Sequence, residues 1–163
     1  MTSVDALVDA AQFRTTLSRF ASGVTVVTSQ DAEGRDYGMT VSAFSSLSLD
    51  PPLVLVCIDQ SATWHSVLPQ ATAFNVHILR DDQEAVSRRF ATDRAGRFTE
   101  AAFTRGENGL IQLEGVLALL ECRITAIHEG GDHRIVVGAV QSVRHDEGDP
   151  LLYFRGAYAR LAR

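Results

Sequence analysis

The sequence predicts a mostly β fold, an antiparallel barrel with a few short helices packed outside it. Three observations point there. About six or seven runs rich in β-branched and apolar residues recur along the 163 residues. Most are joined by short polar or glycine-containing turns, as hairpins are. Helical patterns are few and short, so strands do not alternate with helices as a doubly wound parallel sheet requires. The length suits one domain, residues 1–163, with a single hydrophobic core over about 13–161.

The elements follow in order. From Ser3 to about Ala21, Phe13, Leu17 and Phe20 fall at i, i+4 and i+7, one face of a helix. Gly23 ends it, and GVTVVTS (Gly23–Ser29) has the β-branched composition of a strand. Gln30–Asp36 is a polar turn around Gly34, pairing that strand with Tyr37–Leu49 as a hairpin. Asp50-Pro51-Pro52 interrupts, because proline cannot donate to a central ladder. Leu53–Ile58 is continuously apolar and predicts a fully buried strand. Ser61 is placed to cap a short helix over Ala62–Leu68, closed by Pro69.

Ala73–Leu79 returns as a strand. Asp81, with Glu84 three residues on, resembles a capping box for a second short helix that carries Ala85, Val86, Arg89 and Phe90. Ala91 to about Gly109 is polar and glycine-punctuated, a loop with at most one short helix. Val116–Ile127 and His133–Val143 form a second hairpin turning at Glu129–Asp132, and Leu151–Phe154 is a short last strand.

Composition excludes several classes. Net charge is −5 with no basic run, which disfavours nucleic acid, whose binding leaves a Lys/Arg footprint. Cys57 and Cys122 sit in apolar runs and read as buried thiols, not as a disulfide or metal pair. The segment MTSVDALVDAAQF lacks the basic start and apolar run of a signal peptide, and no stretch has the length of a membrane span. A cytoplasmic protein is expected.

Three polar clusters remain to be explained. In GMTVSAFSSLSL (Gly38–Leu49), Thr40, Ser42, Ser45, Ser46 and Ser48 carry hydroxyls. They are the polar face of an antiparallel strand or, with nearby backbone N–H groups, a cradle for a phosphate. DQSATW (Asp59–Trp64) is an ordinary helix cap or an anion site beside that cradle. Gly131-Asp132-His133 places a histidine at a strand start, exposed at a turn or against an aromatic ligand. The five histidines show no HxxxH or HExxH spacing and the cysteines no CxxC, so no metal is expected. GxSxG, GxxxxGK[ST] and GxGxxG are all missing. No side chain stands out as nucleophile or base, which fits an enzyme whose bound cofactor carries the reaction.

Taken together in this order and spacing, FASGVTVVT (Phe20–Thr28), GMTVSAFSSLSLDPPLVLVCI (Gly38–Ile58), FNVHIL with SRRFA downstream (Phe74–Ala91), GDHRIVVGAV (Gly131–Val140) and LLYFRGAY (Leu151–Tyr158) resemble the short-chain flavin reductase family. These are the reductase components of two-component flavin-dependent monooxygenases. The resemblance runs from about Phe13 to Leu161. It implies a split-barrel, FMN-binding fold, a homodimer, and reduction of FMN or FAD by NADH or NADPH. The reduced flavin would then serve a separate monooxygenase.

Carried over by position, the resemblance sets Thr40, Val41, Ser42, Ala43, Ser45 and Ser46 along the flavin's ribityl-phosphate and ring edge. Cys57, Ile58, Asp59, Ser61, Ala62 and Thr63 would wrap the ribityl-phosphate region, with Phe74 and Asn75 under or near the site. Arg89 and Phe90 would approach the phosphate or adenine end. His133 would orient the nicotinamide, which Tyr153, Phe154, Arg155 and Gly156 would also meet. The alternatives of the same barrel type are an oxidase resembling pyridoxamine-phosphate oxidase and a non-catalytic cofactor-binding barrel.

Overall fold

The computed structural model describes residues 7–92 and 96–163. In chain order it holds α1 (Ala10–Leu17), β1 (Ser22–Gly23), β2 (Thr25–Gln30), β3 (Asp36–Val41), β4 (Phe44–Leu49), β5 (Pro52–Asp59), a 3₁₀ turn (Thr63–Ser66) and β6 (Ala73–Ile78). Then follow α2 (Glu84–Phe90), β7 (Phe103–Arg105), β8 (Ile111–Leu113), β9 (Ala118–Gly130), β10 (His133–His145), β11 (Leu152–Phe154) and β12 (Ala157–Ala159). Among the described residues, no helix is long and apolar enough to cross a membrane.

Seven strands pair into one antiparallel sheet ordered β3-β2-β6-β9-β10-β5-β4. Its two edges, β3 and β4, are separated in sequence only by Ser42 and Ala43. In a flat sheet those edges would stand about 29 Å apart, six spacings of about 4.8 Å. Three residue steps from Val41 to Phe44 reach at most about 11 Å. The sheet must therefore curl until its edges approach, which gives the mostly β, split-barrel form expected from the sequence. β1, β11 and β12 make a small second sheet, and β7 pairs with β8.

The curl defines an inside and an outside. Val54, Val56 and Ile58 of β5 point inward and join Val27, Trp64, Phe74, Val76 and Val136 in the main core. Gly138 of β10 lies against Phe74, where an added Cβ would stand 2.5 Å from the ring, so only glycine lets these strands close over it. A second core outside the sheet joins Val24, Val26 and Leu79 to Phe90 of α2, Ile111 and Leu113 of β8, and Leu151.

Several expectations are corrected. α1 is shorter than Ser3–Ala21: it begins after Asp9, whose carboxylate accepts from the Gln12 N–H at 2.9 Å. Residues 3–6 of that expectation lie outside the described residues. Its apolar stripe is real but uncovered, with Phe13, Leu17 and Phe20 all exposed. Tyr37–Leu49 is two strands, because the chain leaves one edge of the sheet at Val41 and starts the other at Phe44. β5 is half-buried and alternating, since only every second apolar residue faces the core.

Ala62 stands at the cap position of the 3₁₀ turn without a side-chain bond, and Ser61 bonds Asp59 instead. Gln83, not Asp81, precedes α2, and its amide ties the Arg80 N–H to the Glu114 carbonyl. Part of the expected loop, Ala91–Gly109, is strand β7, and β12 follows the expected last strand. The β9–β10 turn is only Gly131-Asp132, with Gly131 at φ 67.

Candidate functional site

The end of β5 begins the site. The Asp59 carboxylate accepts from both the N–H and the hydroxyl of Ser61, each at 2.7 Å. These bonds, above all the Ser61 hydroxyl, hold its pKa below the usual carboxylate range against partial desolvation, helped by nearby His133. The turn redirects the chain into the 3₁₀ turn, which swings Thr63 and Trp64 toward β3. His133 lies directly across the ladder from Asp59, and its Nδ1 is 2.7 Å from the Asp132 carboxylate. The Gln60 N–H donates to the Asp132 carbonyl and locks the two segments together.

Facing this turn is a cavity of about 480 Å³. Its walls are β3, the segment Ser61–Trp64, the end of α2 and residues 96–99. Thr40 of β3 donates its hydroxyl to the Ser87 carbonyl of α2 at 2.6 Å, fixing one wall to the next. Ser87 is fully buried and shares a 2.7 Å hydrogen bond with the Tyr158 hydroxyl of β12. Gly38 makes the cavity possible: a Cβ there would stand 2.9 Å from the rings of both Phe90 and Phe98. Those rings meet edge to face at 5.2 Å. Arg97 donates to the Gly38 carbonyl.

Below the cavity, Arg105 grips Asp36 with two bonds of 3.0 and 2.7 Å. Burial works against the Asp36 charge, but Arg105 and Gln30 still hold its pKa low. Trp64 is 3% exposed and lines the cavity, yet its indole N–H finds no acceptor among the described residues. A buried donor without a partner carries a penalty that a ligand oxygen would relieve.

Five residues singled out in the sequence line this cavity: Thr40, Ser61, Ala62, Thr63 and Phe90. Asp59 and His133 stand beside it, bonded to its Ser61 wall or paired across from it. Ser42, Ala43, Ser45 and Ser46 occupy the exposed corner and edge strand beyond Thr40, and Ser45 donates to the Ser46 carbonyl. Val41, Ile58, Phe74 and Asn75 are core residues. The Asn75 amide donates to the Ile111 carbonyl at 3.1 Å and accepts from Asn108 at 2.9 Å, so it holds the β8 hairpin to the sheet.

Cys57 lies on the outer face of β5 with its thiol pushed up by burial, and burial with the Glu121 charge pushes Cys122 up to about 12. Neither thiol is poised as a nucleophile. Arg89 turns to Glu100, donating to its carbonyl at 2.9 Å and pairing with its carboxylate at 3.5 Å. Arg155, at φ 51, lays its guanidinium 5.2 Å from the Phe154 ring. Tyr153 and Gly156 border a second cavity of about 490 Å³, which shares Ala91 and Thr92 with the first.

The sequence reading missed Gly38, Trp64, Arg97, Phe98 and Thr99. Trp64 closes the DQSATW cluster, and a lone tryptophan beside a polar turn was the available signal. Residues 96–99 sit in a stretch with no periodicity and gave none. Among the described residues no group of His, Cys, Asp or Glu could hold a metal.

Residues 17–162 match the family model described as a flavin reductase like domain. The chain is 44% identical to the FMN reductase (NADH) of Agrobacterium fabrum over 93% of this chain and 86% of that one. It is 49% identical to the reductase component of 4-hydroxyphenylacetate 3-monooxygenase of Thermus thermophilus, over 91% and 95%. Its fold superimposes with a TM-score of 0.90 on a Streptomyces globisporus NADH:FAD oxidoreductase solved with NAD and FAD fragments, at 36% identity, covering 96% and 97%.

Proposed function

The chain belongs to the flavin reductase like family, and on that premise we propose that it is an NAD(P)H:flavin oxidoreductase. It reduces FMN or FAD and releases the product to a separate monooxygenase. The observation that carries this reading is the cavity beside β3, where Ser61, Thr63 and Trp64, whose buried N–H has no partner among the described residues, stand next to small residues Gly38 and Ala62. Such a set of hydroxyls, with Arg97 on the same wall, suits a ribityl chain and phosphate. When bound, the flavin supplies the hydride acceptor.

The chain's own task is to bind and orient. Thr63 and Trp64 are placed to donate hydrogen bonds, and the Ser61 hydroxyl oxygen, its proton held by Asp59, to accept one. The exposed corner Ser42–Ala43 and edge strand β4 offer backbone N–H groups outside the ladder, where small side chains allow a flat ring to approach. His133, fixed by Asp132, orients the nicotinamide and moves no proton. Its place across from Asp59 supports that role.

The same reading makes the protein a cytoplasmic homodimer. Leu53, Leu55 and Cys57 line up on the outer face of β5 beside Ala139, Val137 and Ile135 of β10, an apolar row half covered except at buried Val137, with Leu49 exposed at its edge. Leu55→Glu is expected to give a monomer by sedimentation. Both thiols are free, as a reducing compartment keeps them.

The deciding experiment is one cuvette of protein, NADH or NADPH, and added FMN or FAD. Flavin-dependent loss of the reduced nicotinamide absorbance is expected. No oxidation with any of the four pairs defeats the reading.

A further inference from the structure

We infer that Arg105, on the β7–β8 hairpin outside the seven-stranded sheet, is a positioning residue for phosphate-bearing flavin. By holding Asp36 in a two-bond ion pair it cancels a carboxylate charge in the wall of the first cavity, and so favours FMN over uncharged riboflavin. The inference rests on the functional reading above and deepens it, since it concerns which flavin that same cavity accepts.

Asp36 opens β3, the strand that walls the cavity through Gly38 to Thr40. Among the described lining residues it is the one carboxylate. Strand geometry sets it about 7 Å from Gly38 and about 14 Å from Thr40, two and four steps of about 3.4 Å. An anion in the middle of the cavity is thus within about a Debye length of its charge. A bare carboxylate there would repel the phosphate that the functional reading puts in the cavity.

Arg105 answers that charge from behind. Its Nη1 and Nη2 donate one bond each to the two carboxylate oxygens, at 3.0 and 2.7 Å. Nη1 also donates to the Gly109 carbonyl at 2.9 Å, which fixes the fork. Gln30 donates to the same carboxylate at 2.9 Å from the neighbouring strand. Burial works against the Asp36 charge, and Arg105 with Gln30 outweighs it, so the group stays ionised and matched. Arg105 itself does not line the cavity, so it acts on a ligand through Asp36.

A purely structural pair is the competing account. The Arg105 side chain is 45% exposed, and an ion pair so open to water contributes little to stability. The hairpin has its own packing besides. Phe103 meets Phe98 edge to face at 6.4 Å, and Phe98 lines the cavity. The fork is therefore not needed to dock the hairpin, and the cavity it borders supplies its role.

The opposite signs of the two charges make the test. Dissociation constants for FMN and riboflavin are measured by quenching of Trp64, the single tryptophan, which lines the cavity. Arg105→Ala leaves Asp36 unmatched, so FMN should weaken about tenfold while riboflavin stays within about twofold. Asp36→Asn leaves Arg105 unmatched, so FMN should tighten about threefold and riboflavin again hold. The double variant carries neither charge and should return FMN to within about twofold of the wild type. Raising the salt from about 0.15 M to about 1 M shortens the Debye length from about 8 Å to about 3 Å and should shrink the Arg105→Ala effect to about threefold or less.

A hairpin that is only a brace gives a different pattern: both single variants weaken FMN and riboflavin alike, and salt changes neither. That pattern, an unchanged FMN to riboflavin ratio in Arg105→Ala, or no tightening of FMN in Asp36→Asn, overturns the inference. Asp36→Asn keeps the shape of the side chain, so it decides the matter even if Arg105→Ala does not fold. Failure of the inference would leave flavin-dependent NADH oxidation by the wild type intact, whereas failure of the functional reading would abolish it.

Discussion

Lowering the pH should destabilise this protein through one buried histidine. His77 of β6 is 0% exposed. Its Nδ1–H donates to the Val26 carbonyl at 2.9 Å, and its Nε2 has no partner among the described residues. Burial disfavours the charged ring. The Val26 and Ile111 carbonyls favour it, but Ile111 already accepts from Thr28 and Asn75, and the Arg144 charge opposes it further. The pKa falls from 6.5 to about 4.

Between those values the unfolded chain binds more protons than the folded one, so stability is lost as pH falls. The loss between pH 7 and pH 5 works out at about 2 kcal/mol, and it approaches about 3 kcal/mol below pH 4. In urea titrations about 2 kcal/mol moves the midpoint by about 1 M. His77→Gln keeps a donor for Val26 and does not titrate. The wild type should lose about 2 kcal/mol more than this variant between pH 7 and pH 5, with the carboxylates common to both cancelling. Equal losses in the two proteins would refute the reasoning.

Two further outcomes are expected. Gly138→Ala sets a Cβ 2.5 and 2.6 Å from atoms of the Phe74 ring and 2.9 Å from the Cys122 Cβ. The barrel wall must shift, at about 1–3 kcal/mol, read as a lower urea midpoint with unchanged slope. His133→Ala removes the side chain held by Asp132 beside the Ser61 turn. The KM for NADH should rise about fivefold to tenfold, the loss of one hydrogen bond, while the FMN dissociation constant stays within about twofold. Equal weakening of both would place His133 on the flavin instead.

The strands were legible because their signal is local. GVTVVTS, AFNVHIL and HRIVVGAVQSV carry β-branched residues in continuous runs, and each became a strand within a few residues of its expected ends. What failed depends on partners distant in sequence. Phe103–Arg105 is a strand because it pairs with Ile111–Leu113, and nothing in its own three residues says so. Ser61 looked like a cap because hydroxyls cap helices, but Asp59 two residues earlier offers a stronger acceptor. The family resemblance set Asn75 under or near the site, and here the β8 hairpin claims both ends of its amide.

One misjudged apolar pattern and one hydroxyl-rich stretch point the same way. Leu53–Ile58 is apolar at every position, yet the barrel needs only Val54, Val56 and Ile58 inside. Leu53, Leu55 and Cys57 are apolar for a different reason, since a solvated outer face would alternate with polar residues. The proposed second copy of the chain across that face would supply one. The hydroxyl-rich stretch Gly38–Leu49 divides on the same line. Thr40 belongs to the cavity and is bound to α2, whereas Ser42, Ser45 and Ser46 stand on the open edge next to that outer face. A flavin held at Thr40, Ser61 and Trp64 would extend its ring toward the edge where the second copy is expected. On this view the serines and the apolar row are parts of one site. Leu55→Glu should then weaken FMN binding as well as dimerisation, although Leu55 does not line the cavity. A monomeric variant that binds FMN as the wild type does would separate the two and show that each subunit's site is complete.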